Sequence, residues 1–236
     1  MLLNDVFTAL SVGELSNLAM SNNGNGTINP LSQPKLVTYA NEALLRLYTR
    51  FVLKETDVLV QLYEHITFYH LLPKFSVSYT PTGPTDDQPI RYLLDNATEP
   101  FEDDLIKVLS VYNSFGQQLP LNDEEKHNSV FTPKGKLLQV PAPQNETYLS
   151  VRYQQRHLKL TGNLEENVYL PDILFVALTA YIAYKVFSHM NTPASNAKAV
   201  EFNTAYEEVC NEVVDRDLVS SSISQSNTRF AKGGWR

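Results

Sequence analysis

Three runs of neighbouring acids, Asp86-Asp87, Asp103-Asp104 and Asp123-Glu124-Glu125, carry the side chains best suited to proton transfer or to holding a cation. A calcium loop would space its oxygens around a glycine that makes the tight turn, and none of the three runs has that form. They read as solvated turns at the ends of elements. The five histidines, His65, His70, His127, His157 and His189, are scattered. The closest pair, His65 and His70, is separated by an odd number and would fall on opposite faces of a strand. A zinc site needs converging Cys, His or carboxylate spacings, which the chain lacks, so no metal or cofactor is predicted. Neither a phosphate-cradling glycine loop nor a G-x-S-x-G elbow occurs. Cys210 is the only cysteine; it sits on an apolar helical stripe as a small hydrophobe. The expectation is a protein without a catalytic centre.

Binding chemistry is better represented. Lys134-Gly135-Lys136 is a basic hairpin loop placed to touch DNA or a neighbour. The C-terminal stretch, residues 219–236, is richer. Beyond Asp217 there is no acid, whereas Arg229, Lys232 and Arg236 are basic. With those three taken from the 19 basic residues, residues 1–217 set 16 against 26 acids. Ile223, Phe230 and Trp235 are large apolar groups in a segment too polar to form its own core. Together with Arg229, Lys232 and Arg236 they have the composition of interface anchors, and the stretch is read as a docking arm.

These groups need elements to carry them. Leu3, Val6, Phe7 and Leu10 recur at helical spacing, and Ser11 with Glu14 has capping-box spacing ahead of Leu15 and Leu18, which predicts two short helices. A loop over residues 21–30 leads to a long helix over Gln33–Lys54, with Ser32 as cap and Pro34 in the first turn. Its stripe is Leu36, Tyr39, Ala40, Ala43, Leu44, Leu47, Tyr48 and Phe51. From Asp57 the period becomes two. Strands are predicted at 58–62, 66–69, 75–79, 105–113, 117–121, 129–132, 136–140, 148–155 and 157–160. Helical periodicity returns at Pro171, and Pro193 opens a last helix ending near Asp217. The fold class is α+β: a helical bundle formed from both ends of the chain, an inserted small β-sheet or sandwich module, and an extended C-terminal arm. The boundaries are 1–56 for the N-terminal helices, 57–165 for the β-rich module, 166–218 for the C-terminal helices and 219–236 for the arm.

The net charge of −7 disfavours a protein that grips nucleic-acid phosphates, because that affinity comes from clustered Lys and Arg. The uncharged run Ile173–Tyr184 is too short to cross a bilayer, so no membrane role is expected. The start, Met1-Leu2-Leu3-Asn4-Asp5, has no basic region and meets an acid early, so no signal peptide is expected.

Several short motifs carry a family resemblance. Leu3-Asn4-Asp5-Val6-Phe7-Thr8 with Gly13-Glu14-Leu15-Ser16, Pro34-Lys35-Leu36, Val140-Pro141, Leu170-Pro171, Phe187-Ser188-His189-Met190 and the final Gly234-Trp235 lie in order along the chain. The whole resembles head-to-tail adaptors (connectors, or head-completion proteins) of tailed bacteriophages. The resemblance implies a virion protein of the neck or tail region, assembled in the host cytoplasm. It implies a homo-oligomeric ring of twelve copies beneath the portal protein, joined below to a tail nozzle or tube protein. Genomic DNA would pass through the channel without tight binding, and the arm would dock on the portal. The alternatives are another virion part, such as a tail terminator or baseplate component, or a hydrolytic enzyme using the paired carboxylates.

Overall fold

The computed structural model of the chain describes residues 1–80, 89–96 and 98–219. They divide into two units, one ending at Tyr169 and the other beginning at Leu170.

The first unit opens with α1, Leu3–Val12, which buries Leu3, Val6, Phe7 and Leu10 along one stripe. The Asp5 carboxylate accepts the Leu2 N–H at 2.8 Å and satisfies an otherwise orphan donor at the helix start. The predicted second helix is absent. Ser11 does not cap; it lies inside α1, fully buried, and its hydroxyl reaches the carbonyls of Ser21 and Thr27, both at 3.0 Å. Residues 19–24 form a 3₁₀ turn instead.

The long helix α2, Gln33–Arg50, has Pro34 in its first turn as expected, and all eight residues of the predicted stripe are buried. Ser32 makes no capping bond. The helix stops four residues short of the predicted Lys54, because Phe51 turns to an extended conformation.

Eight strands follow: β1 Glu55–Gln61, β2 Phe68–His70, β3 Leu93–Leu94, β4 Leu105–Tyr112, β5 Gln118–Leu119, β6 Phe131–Lys134, β7 Leu137–Gln139 and β8 Tyr148–Gln155. They form two antiparallel sheets, of order β3-β1-β8-β4-β5 and β2-β7-β6. β8 is the axis of the larger sheet, paired along its length with β1 and, through two register shifts, with β4. Alternation places Val58, Val60 and Leu62 beside Leu149, Val151 and Tyr153 on the inner face. Tyr69 and Leu138 of the smaller sheet complete the same apolar cluster.

Two predicted strands do not form. Residues 73–75 make a 3₁₀ turn, after which Ser76 contributes a single bridge to Leu93. The 157–160 segment is held by a side chain rather than a sheet: Asn41 of α2 donates to the Leu160 carbonyl at 3.0 Å and accepts its N–H at 2.8 Å. β3, only two residues long, has no period by which to be found.

The second unit is a helical hairpin. α3, Asp172–Ser188, and α4, Pro193–Asp215, pack on each other through Tyr181 against Tyr206, rings 5.3 Å apart, and Phe187 stacked on Phe202. Pro171 precedes α3 as its N-cap rather than entering the first turn. Thr192 caps α4, accepting the Ser195 N–H while the Ser195 hydroxyl accepts that of Thr192 at 3.0 Å.

Gln154, on β8, donates to the carbonyls of Tyr48 and Phe51, where α2 ends and its last carbonyls have no helical partners. Replacing Gln154 with Leu removes that donor from a site only 4% exposed. The expected cost is about 1–3 kcal/mol, read as a lower denaturant midpoint with an unchanged slope.

Candidate functional site

A groove of about 770 Å³ in the first unit runs along the start of β1 and the 94–102 segment, with Tyr153 and Gln155 among its walls. Its acids are Glu55, Asp57, Asp95, Glu99 and Glu102. Asp57 and Glu55 flank Arg152 of β8, at 3.0 and 3.9 Å, on the outer face of the sheet. Asp95 takes the Ser78 N–H at 2.9 Å, the Phe101 N–H at 2.7 Å and the Ser78 hydroxyl. Burial works against its charge, but the hydrogen bonds from Ser78, Phe101 and Ser76 outweigh it and hold the carboxyl below the usual carboxylate range. This acid ties two loops to β3.

Asp104 borders the same region and departs from the expectation of a solvated turn. It is 3% exposed. Gln155 donates to its Oδ2, the Tyr153 hydroxyl stands 3.5 Å from its Oδ1, and Gln155 in turn accepts from the Thr56 hydroxyl at 2.8 Å. Burial first, then the neighbouring Asp104 carboxylate, push the Tyr153 hydroxyl well above its ordinary value. Asp103 is the exposed member and pairs with Lys136 at 2.5 Å. Asp104 and its neighbour Leu105 are both buried, because Asp104 lies just before β4, outside the strand whose faces alternate.

The other predicted groups are dispersed. Asp123 closes a turn, accepting the Glu125 N–H and pairing with Lys126 at 3.3 Å; Asp86 and Asp87 lie outside the described residues. Lys134 ends β6, and Gly135 and Lys136 form the tight β6–β7 connection, as expected of a hairpin loop. His65 precedes β2 instead of lying on it, so the opposite-face argument for His65 and His70 does not apply. His157 alone among the histidines is buried. Cys210 is fully buried on α4. Among the described residues no group of three or more His, Cys, Asp or Glu side chains is placed to hold a metal ion, and no helix is long and apolar enough to cross a membrane. The predicted anchors Ile223, Arg229, Phe230, Lys232, Trp235 and Arg236 lie outside the described residues.

No protein-family model and no curated protein matches this sequence.

Three further titratable groups with displaced proton affinity, Glu166, Tyr69 and Tyr92, hold backbone. The Glu166 carboxylate accepts from the Thr161 hydroxyl at 2.6 Å and from the N–H groups of Thr161 and Gly162, and those bonds hold it below its usual range. Tyr69 and Tyr92, raised by burial, each clasp one residue: Tyr69 accepts the Tyr63 N–H and donates to its carbonyl, and Tyr92 does the same for His70. What sequence reasoning missed here is a set of structural clasps, for which a tyrosine in an apolar stretch gives no signal.

The two neighbouring aspartates should therefore separate in experiment. Asp104→Ala strips Gln155 and Tyr153 of a buried acceptor and should cost about 1–3 kcal/mol. Asp103→Asn removes one exposed ion pair and should cost below about 1 kcal/mol. Chemical denaturation of both variants checks the contrast.

Proposed function

We propose that the chain is a non-catalytic structural protein of a phage particle, a head-to-tail adaptor forming a ring beneath the portal, joining head to tail around a DNA channel. The observation that carries this reading is where the perturbed ionisable groups point. In an enzyme such groups converge on a cleft. Here Asp95 and Tyr153 share a groove, but Tyr153 bonds the buried Asp104, and Asp95, Glu166, His157, Tyr69 and Tyr92 each bond backbone atoms and keep loops in place. A body organised in this way presents surfaces, and Leu31 and Phe115, 91% and 86% exposed on loops, are apolar groups available to neighbours. The ordered motifs that resemble adaptors supply the particular assembly, and the acidic balance suits a channel wall that does not retard DNA.

On this reading the helices of the two chain ends form one bundle and the β-rich module is an insertion in it. Cysteine pairs placed on 33–50 and 172–188 should then cross-link; failure of every facing pair would sink the bundle. The arm, 219–236, is the portal-binding element, with Ile223, Phe230 and Trp235 entering a groove and Arg229, Lys232 and Arg236 meeting acidic rims.

Truncation after Val219 should leave the melting temperature nearly unchanged and abolish portal binding. Trp235→Ala should cost about 2 kcal/mol or more, roughly 30-fold in affinity. Electron microscopy of the full chain mixed with its portal should show rings on the portal's outer end. A truncated chain that still binds at full strength, or rings that bind a tail tube but not a portal, would replace this reading with a different virion part.

A further inference from the structure

Tyr169, the last residue of the first unit, has both of its backbone groups held by side chains. Its N–H donates to Nε2 of His157 at 3.1 Å, and its carbonyl accepts the hydroxyl of Tyr48 from α2. The protonation state of His157 follows from its partners. Nδ1 faces the Leu158 carbonyl, which can only accept, so Nδ1 carries the hydrogen. Nε2 receives an N–H, so it is bare. The ring is a neutral imidazole in one tautomer, packed edge-on against Tyr48 with centroids 5.5 Å apart and tilted against Tyr169 at 6.0 Å.

From this geometry we infer that His157 and Tyr48 form a proton-operated clasp on Tyr169, closed while the imidazole is neutral and opened when Nε2 takes up a proton. A protonated Nε2 has no lone pair for the Tyr169 N–H, and two donors would then face each other. The bond to Tyr169 breaks, leaving Tyr48 alone on the carbonyl. The proton has a route: His157 lines an open cavity of about 350 Å³ with Thr38, Asn41, Glu42, Arg156 and Lys159.

The charged neighbours decide the direction. Burial is the largest influence and disfavours the cation; Lys54, just beyond α2, adds to it. Glu166 and the carbonyls of Leu158 and Asn167 favour the cation but do not prevail, so the imidazole titrates below its ordinary value. Arg156 and Lys159 flank it in sequence, Glu42 and Tyr48 face it from α2, and Tyr169 covers its other side. With the folded-state value depressed, the closed clasp binds fewer protons than the open one. Its stability is complete above about pH 6.5 and is lost as pH falls from there towards the folded-state value.

Amide hydrogen exchange of Tyr169 in the full chain, corrected for intrinsic rate, tests the clasp between pH 8 and pH 5. Protection should fall by up to about tenfold per pH unit below about 6.5, while the Val151 amide at the centre of β8 stays protected. His157→Gln supplies a carbonyl that accepts the same N–H without titrating, and should flatten the dependence. Nitrogen NMR of the wild-type ring gives an independent readout should that variant fold poorly, because Nε2 protonation must follow the same curve as Tyr169 release. Protection of Tyr169 that is unchanged across the range, equal loss at Val151, a pH response retained in His157→Gln, or non-coincident curves would each overturn the inference.

Discussion

Buried backbone N–H and C=O groups must be paired, and most of the first unit's chain lies outside helix and strand, so its pairing depends on side chains. Asn41 supplies both partners to Leu160, Tyr92 to His70 and Tyr69 to Tyr63; His157 and Tyr48 divide the task for Tyr169. The Asn41 and Tyr48 clasps join segments more than a hundred residues apart, while Tyr69 closes a local turn. Removing one strips a partner from backbone groups that water does not readily reach, which is why these sites are more sensitive than the exposed ion pairs.

Apart from Asn41, these clasps are made by aromatic side chains, which can serve two ends. The ring of Tyr92 packs edge-on against Tyr69 at 5.1 Å and stacks on Phe75 at 4.9 Å, inside the apolar cluster shared by the two sheets. Its hydroxyl emerges where β2 needs a donor and an acceptor. The same side chain thus contributes to the core and to the hydrogen-bond network, and the small sheet is fixed to the large one by both. At the other end of the sheet, Gln154 performs the polar half of this task for α2, whose apolar stripe is already buried.

Legibility in the sequence followed the length of each periodic run. The stripe of α2 repeats over five turns, and its eight apolar positions are all buried. β8, where Leu149, Val151 and Tyr153 alternate cleanly, has the predicted ends, Tyr148 and Gln155. Periodicity failed where side chains, not ladders, hold the backbone. Residues 157–160 alternate like a strand, yet Asn41 captures Leu160; Phe75 looks β-forming, yet it packs on Tyr92 after a proline-led turn. Ser11 had the spacing of a cap, but the helix ran through it and turned its hydroxyl inward. Asp104 was misread for a related reason: it lies just before β4 and is held by side chains, and nothing in an Asp-Asp pair announces which member turns inside.

On the proposed reading the same arrangement separates stability from recognition. The perturbed carboxylates Asp95 and Glu166 and the buried Asp104 are bonded within the first unit, so their charges are committed to its loops. The basic groups beyond Asp217 have no acid near them in sequence, and an excess of acids lies before them. Charges that meet opposite charges across an interface raise encounter rates and fix orientation more than they raise affinity. On the proposed reading, the pinned body supplies a surface of constant shape, and the charge asymmetry orients it towards its partner. Affinity then rests on the apolar groups Ile223, Phe230 and Trp235, since desolvated aromatic anchors contribute more to binding than rim charges do.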